Sequence, residues 1–286
     1  MKIVNIIGGL GNQMFQYAFA EILKLKFPQE NIYIDTQHFH GYKSHNGFEI
    51  YDIFKNARIK RASIPDILKV YYYIPNYNIY CNLRNRHLLP KRKTILLEEA
   101  GADLLNYPGN AYYRGYWQKY EYYKDHKDFL RKLYEFPEPS GVNAELAERM
   151  ARTNSVGIHV RRGDYLNNPS LNVCDEDYFK RALALLREKG EKYTYFVFSN
   201  DKQWCEQFFS SVLPGEDVSF VDNNQGRMSY FDMYLMANCR SLIISNSTFS
   251  WWAAFLNENA GNVICPKTWT KSGDSSAIQS PDWIKI

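Results

Sequence analysis

The residues best suited to chemistry stand at the ends of apolar runs. "SVGIHVRRGDY" closes one run with His159, Arg161, Arg162, Gly163, Asp164 and Tyr165. Alternation along a strand puts His159 and Arg161 on one side and Val160 and Arg162 on the other. Two guanidiniums followed by a glycine turn suit an anion, because each grips phosphate oxygens bidentately and neither loses its proton. Arg162 has a second reading, as a loop brace paired with Asp164. "ISNSTFSWW" sets Asn246, Ser247, Thr248 and Phe249 between a run and an aromatic helix start. The N–H groups of a helix N-terminus joined by hydroxyls make a phosphate seat. "FSND" ends a further run with Ser199, Asn200 and Asp201, which fit a ribose or base edge and equally well cap a helix. At the start of the chain, "KIVNIIGGLGNQMFQYAFAEIL" reads as strand, glycine turn and helix, with Gly11, Asn12 and Gln13 in the turn.

A divalent metal is not expected. "DED" (175–177) has the form of a metal-binding acidic triplet, but it immediately precedes the helix pattern "YFKRALALL". Acids there cap the helix and complement its dipole. The arginines can neutralise a pyrophosphate without a metal.

The elements that must position these groups follow from the hydrophobic pattern. Residues 2–7 read as a strand, 8–13 as a loop, 14–26 as a helix ended by Pro28, and 31–36 as a second strand. From about 60 to 135 the pattern loosens into helices and long loops. "EFPEPSG" (135–141) is the best linker, dividing the chain into domains 1–138 and 139–286. Beyond it strands and helices alternate, which predicts a parallel, doubly wound sheet. The expected fold class is α/β, two Rossmann-like domains facing a cleft, with ligands beyond the carboxyl ends of the strands.

Composition narrows the function classes. The 286 residues are 45% hydrophobic and 23% charged, and 23 Tyr with 17 Phe suit sugar recognition. A ring face packs on C–H groups while the tyrosine hydroxyl hydrogen-bonds. A net charge of +4, spread along the chain, favours small anions or an anionic membrane surface over nucleic acid. "NLRNRHLLPKRK" concentrates Arg84, Arg86, Lys91, Arg92 and Lys93 just after a Tyr-rich stretch. That cluster reads as a solvated basic loop, a membrane contact or an acceptor-site wall. Five dispersed cysteines without C-x-x-C indicate neither a disulfide framework nor a zinc site. With no signal peptide or membrane helix legible, the expected location is the cytoplasm, or the inner membrane face peripherally.

Taken in order, "GGLGNQMFQYA", "HVRRGDY", "FSND" with Trp204 after it, and "SNSTFSWW" resemble the bacterial α-1,2-fucosyltransferases of glycosyltransferase family eleven. The resemblance spans most of the chain, and "HVRRGDY" with "GGLGNQ" is its specific part. It implies a GT-B-like fold and transfer of L-fucose from GDP-β-L-fucose, with inversion and without metal. The implied acceptor is the 2-hydroxyl of a terminal galactose, as in lactose or N-acetyllactosamine. Arg161 resembles the arginine on the donor pyrophosphate, with His159 facing the same site. Gly11 and Asn12 resemble a glycine-Asn turn beside the donor phosphate, and Ser247, Thr248 and Phe249 a Ser-Thr-Phe turn near phosphates and base. Ser199, Asn200, Asp201, Arg162, Asn246 and Gln13 complete the expected donor set, and the candidate bases are Asp164, His159 or an acid from the unmatched stretch 36–135. Residues 36–135 match no motif, so acceptor choice is expected there.

Two rivals come from other classes. A dinucleotide-dependent oxidoreductase is suggested by Gly9-x-Gly11 after a strand and by Asp35 ending the next. It fails because Met14 takes the place of the last glycine of G-x-G-x-x-G, and Asn12 and Gln13 are polar where helix packing is wanted. A carbohydrate- or membrane-binding protein would leave the arginine pair and the hydroxyl turn unexplained. A different linkage or acceptor is the closer alternative.

Overall fold

The computed structural model describes residues 1–42, 44–98, 104–166, 168–271 and 277–286, and divides into two compact units, Met1–Glu135 and Phe136–Ile286. The division falls at the start of the 135–141 stretch; the helix Val142–Arg152 begins just after it.

In the first unit, β1 (Lys2–Asn5) is buried on both faces and pairs in parallel with β2 (Ile32–Asp35). The helix between them runs Leu10–Lys26, so residues 10–13 form its first turn, where a loop was expected. Gly8 supplies the turn at φ 97°, and a Cβ there would meet the Asn12 side chain at 2.9 Å. The stretch 60–135 contains two strands that the sequence reading missed, β3 (Ile95–Leu97) and β4 (Ala111–Arg114). The parallel order is β2-β1-β4-β3, which makes β4 a central strand. Its alternation is hidden because both faces are apolar. Tyr112 stacks on Tyr71 with ring centroids 3.7 Å apart, while Tyr113 meets Phe19 and Trp117.

The second unit follows the alternation read from sequence. Strands β5 (Ser155–Val160), β6 (Thr194–Ser199), β7 (Asp217–Val221), β8 (Ser241–Ile243), β9 (Asn262–Cys265) and β10 (Ile284–Lys285) form one parallel sheet in the order β10-β9-β8-β5-β6-β7. Counted within the unit this is the 3-2-1-4-5-6 order of a Rossmann sheet. The order reverses between β5 and β8, which are hydrogen-bonded neighbours with Val156 opposite Ser241. Gly157 permits that packing, since a Cβ there would lie 2.9 Å from Leu242 and 3.0 Å from the Cys239 sulfur. Helices Glu176–Arg187 and Lys202–Val212 bury Phe179, Leu183, Cys205 and Phe209 in one core with Val156, Ile158 and Tyr195. The fold is mixed α/β with parallel sheets throughout, as expected.

Candidate functional site

The reversal between β5 and β8 is where a doubly wound sheet offers a ligand crevice at its carboxyl edge. The arginine loop and the hydroxyl turn both leave from that point. His159, 7% exposed, sits one residue before the end of β5, and its Nδ1 lies 2.8 Å from the Ser245 hydroxyl just beyond β8. Burial, helped by the Arg161 charge, pushes the His159 pKa down to about 3, so the ring is neutral at physiological pH. The Phe249 ring lies 5.8 Å from it. The half-buried Arg161 follows in the chain, its guanidinium 5.7 Å from the Tyr165 ring. The Tyr165 hydroxyl in turn donates to the Asn246 carbonyl at 3.2 Å.

On the β8 side, Ser247 caps the helix Thr248–Leu256 by accepting from the Phe249 N–H at 3.3 Å. First-turn N–H groups such as those of Thr248 and Ser250 lack intrahelical acceptors and carry the positive end of the helix dipole. Thr248 and Phe249 are partly exposed while Ser245, Asn246 and Ser247 are buried. Among the described residues, the surface that a ligand can meet here includes Arg161, Tyr165, Thr248, Phe249 and this helix N-terminus. Asn246 is committed to structure, its Nδ2 donating to the carbonyls of Leu171 and Trp269, both at 2.8 Å. It clamps two loops instead of presenting its amide.

Arg162 takes the other role read for it, with a different partner. Its Nε lies 3.2 Å from Asp201 Oδ2, and its guanidinium stacks over the Trp204 ring at 4.0 Å. Its backbone N–H donates to Asn200 Oδ1 at 3.0 Å. Asp201 also caps the helix Lys202–Val212, and its own N–H donates to the Ser199 hydroxyl at 2.9 Å. "FSND" is thus largely occupied in holding the arginine loop. Gly163 makes room for it, since a Cβ there would fall 2.4 Å from Asn200 Nδ2. The side chain of Asp164 lies outside the described positions. Asp175 is the N-cap of Glu176–Arg187, accepting from the Tyr178 N–H at 2.9 Å. Among the described residues no group of three His, Cys, Asp or Glu could hold a metal ion. A polar cavity of about 660 Å³ lies at the opposite, amino ends of β5, β8 and β9, lined by Asn154, Ser241 and Asn262.

In the first unit the glycine turn presents less than its sequence offers. Gln13 is fully buried; it donates to the carbonyls of Gly8 (2.9 Å) and Gly47 (2.7 Å) and accepts from the Glu49 N–H (2.9 Å). These bonds close the turn and join it to residues 47–49, so the expected contact of this buried side chain with a donor gives way to a bracing role. Asn12 is partly exposed, and its Oδ1 accepts from Gln118 at 2.9 Å. Gly11 is buried in the same helical turn. Asp35 accepts from the Gln37 N–H, the Gln37 amide and the Tyr112 hydroxyl, all within 2.8 Å. With its oxygens so engaged it is not placed to read a ribose, which removes the dinucleotide reading's second support.

The sequence reading missed Arg114, at the carboxyl end of β4, and His38, just beyond β2. Arg114 lies over the Tyr80 ring at 5.1 Å. His38 is 1% exposed, its pKa pushed down to about 4 by burial and by Arg114, and its Nε2 makes no hydrogen bond among the described residues. Recognition of "AYYR" as a strand would have flagged Arg114; nothing in the pattern around His38 would have flagged it.

The chain is similar to known proteins in sequence and in fold. An alpha-1,2-colitosyltransferase of Escherichia coli is 30% identical, across 99% of this chain and 98% of its own. The human galactoside alpha-(1,2)-fucosyltransferase 1 is 32% identical over a stretch covering 48% of this chain and 41% of that protein. In fold, the fucosyltransferase NodZ from Bradyrhizobium superposes with a TM-score of 0.52 at 15% identity, covering 92% of each chain. Residues 1–286 match the family Glycosyl transferase family 11 in full, and the chain belongs to that family.

Proposed function

We propose that the protein transfers L-fucose from GDP-β-L-fucose, with inversion, to the 2-hydroxyl of a terminal galactose. The observation that carries the reading is the placement of Arg161 and the Thr248–Leu256 N-terminus on the two sides of the β5/β8 reversal. In the reaction the acceptor oxygen bonds to the anomeric carbon as the bond from that carbon to the GDP oxygen breaks. Charge builds on the departing diphosphate, and a fixed guanidinium with helix N–H donors stabilises it. On this reading no divalent ion is needed, and turnover survives chelator.

His159 serves as a positioning residue. Its low proton affinity unsuits it to take the acceptor proton near neutral pH, which leaves Asp164 or an acid from residues 36–135 as the candidate base. We assign acceptor recognition to the first unit, where Arg114 stands at the carboxyl end of β4.

A second reading is colitosyl transfer, favoured by the near-complete coverage of the colitosyltransferase relative. Colitose is L-fucose without its 3-hydroxyl, so the same diphosphate seat serves either donor. The deciding experiment offers GDP-fucose and GDP-colitose in competition, with lactose and N-acetyllactosamine as acceptors, followed by linkage analysis. Preferential colitosyl transfer overturns the donor assignment. Fucose on any hydroxyl other than galactose O2 overturns the linkage.

A further inference from the structure

Residues 67–97 of the first unit hold six of the chain's 35 Lys and Arg and none of its 31 Asp and Glu, which leaves the remainder of the chain at −2. The fold draws the span together, with Lys69 paired to Asp66, just outside it, at 2.8 Å. Helices Ile64–Val70 and Tyr77–Asn85 bury Ile67, Val70, Tyr71 and Tyr80 in a cluster with Ile3 and Tyr112. Arg92 donates to the carbonyls of Leu68 (2.9 Å) and Tyr71 (3.0 Å), and Thr94 to that of Val70 (2.7 Å), which ties the basic loop to the first helix. Arg92 is thus partly structural. Arg86, Lys91 and Lys93 are exposed and make no ion pair with a described residue. The same span opens five large apolar side chains to solvent: Leu68 at 51%, Tyr73 at 38%, Ile79 at 54%, Leu88 at 62% and Leu97 at 38%.

We propose that this face docks the protein on an anionic membrane surface, its basic side chains at the lipid phosphates and Ile79 and Leu88 in the headgroup–acyl boundary. The combination decides the partner. A second copy of the same face would oppose like charges. Single-stranded nucleic acid calls for stacking platforms, where this face exposes mainly aliphatic groups, and a duplex offers its phosphates to the basic residues but no apolar layer to bury the aliphatic ones. A lipid surface takes both features, with each basic residue strengthening binding and each aliphatic one adding buried area.

The test is cosedimentation of the full chain with vesicles, read without any sugar nucleotide so that it is independent of the donor and acceptor assignment. The protein is expected to sediment with phosphatidylglycerol-rich vesicles at low salt, to leave them as salt rises, and to ignore pure phosphatidylcholine. Combined R86E, K91E and K93E lowers the partition by about a hundredfold or more at roughly fivefold per basic residue, with Tm and turnover on a soluble acceptor retained. I79S with L88S lowers it at unchanged charge. Wild-type partition by the charge variant overturns the proposal, and so does wild-type protein that binds RNA or polyphosphate but not the vesicles.

Discussion

The Nδ1 of His159 and the hydroxyl of Ser245, 86 residues apart, meet at 2.8 Å across the point where the second sheet reverses its strand order. The contact fixes the ends of β5 and β8 to each other, and with them the start of the arginine loop and of the hydroxyl turn. Substituting either residue is therefore expected to disturb both loops together.

Arg161 is the group assigned to the leaving diphosphate. Arg161→Ala should lower kcat by about a hundredfold to a thousandfold, the usual loss when one transition-state donor is removed. Arg161→Lys should recover only part of this, because the bidentate grip is gone. Steady-state kinetics with GDP-fucose measure both, and turnover of Arg161→Ala near wild type would remove the assignment.

Neighbouring residues in the first turn of Leu10–Lys26 should separate by readout. Asn12→Ala is expected to reduce kcat while leaving the Kd for GDP within a few-fold, since the proposed diphosphate seat lies in the second unit. Gln13→Leu, which strands the Gly8 and Gly47 carbonyls and the Glu49 N–H, is expected to cost about 2–3 kcal/mol of stability. Urea unfolding and calorimetric titration with GDP distinguish the two. An Asn12→Ala loss confined to GDP affinity would contradict the division of labour.

Arg162 is assigned to the scaffold. Its ion pair with Asp201 is partly exposed and worth at most about 1 kcal/mol, and stacking on Trp204 adds about as much. Arg162→Ala should therefore reduce stability by about 1–2 kcal/mol, and a double-mutant cycle with Asp201→Asn should show positive coupling. Unchanged unfolding of Arg162→Ala would show that the loop holds without it.

Acid should act through His159. Its folded pKa of about 3 lies below the ordinary 6.5, so the unfolded chain binds the proton first. The contribution is constant above 6.5, and stability is lost as pH falls from 6.5 towards 3 at about 1.4 kcal/mol per pH unit. Between pH 7.5 and 5 the wild type should lose about 2 kcal/mol more than His159→Asn. The difference between the two cancels the opposite slopes of carboxyls whose pKa burial raises, such as Asp35 and Asp232. Parallel curves would show a His159 that titrates normally.

The sequence by itself determined the second unit's parallel alternation, because its strands are apolar runs punctuated by glycine and helix caps, and period and punctuation are local properties. It also determined the family, since "HVRRGDY" and "SNSTFSWW" are contiguous motifs. Tertiary structure decided what those motifs do. Arg161 and Arg162 are adjacent in the chain, yet one stands by the strand reversal and the other is held by Asp201 and Trp204, the cap and first turn of the helix after a different strand. Ser199, Asn200, Asn246 and Gln13 have the chemistry of ligand groups, and only their hydrogen-bond partners reveal them as braces. In the first unit β4 was illegible because Tyr112 and Tyr113 are buried on opposite faces, which erases the alternation that marks a half-exposed strand. With that strand went Arg114, whose place at the sheet's carboxyl edge depends on pairing with β1, more than a hundred residues earlier in the chain.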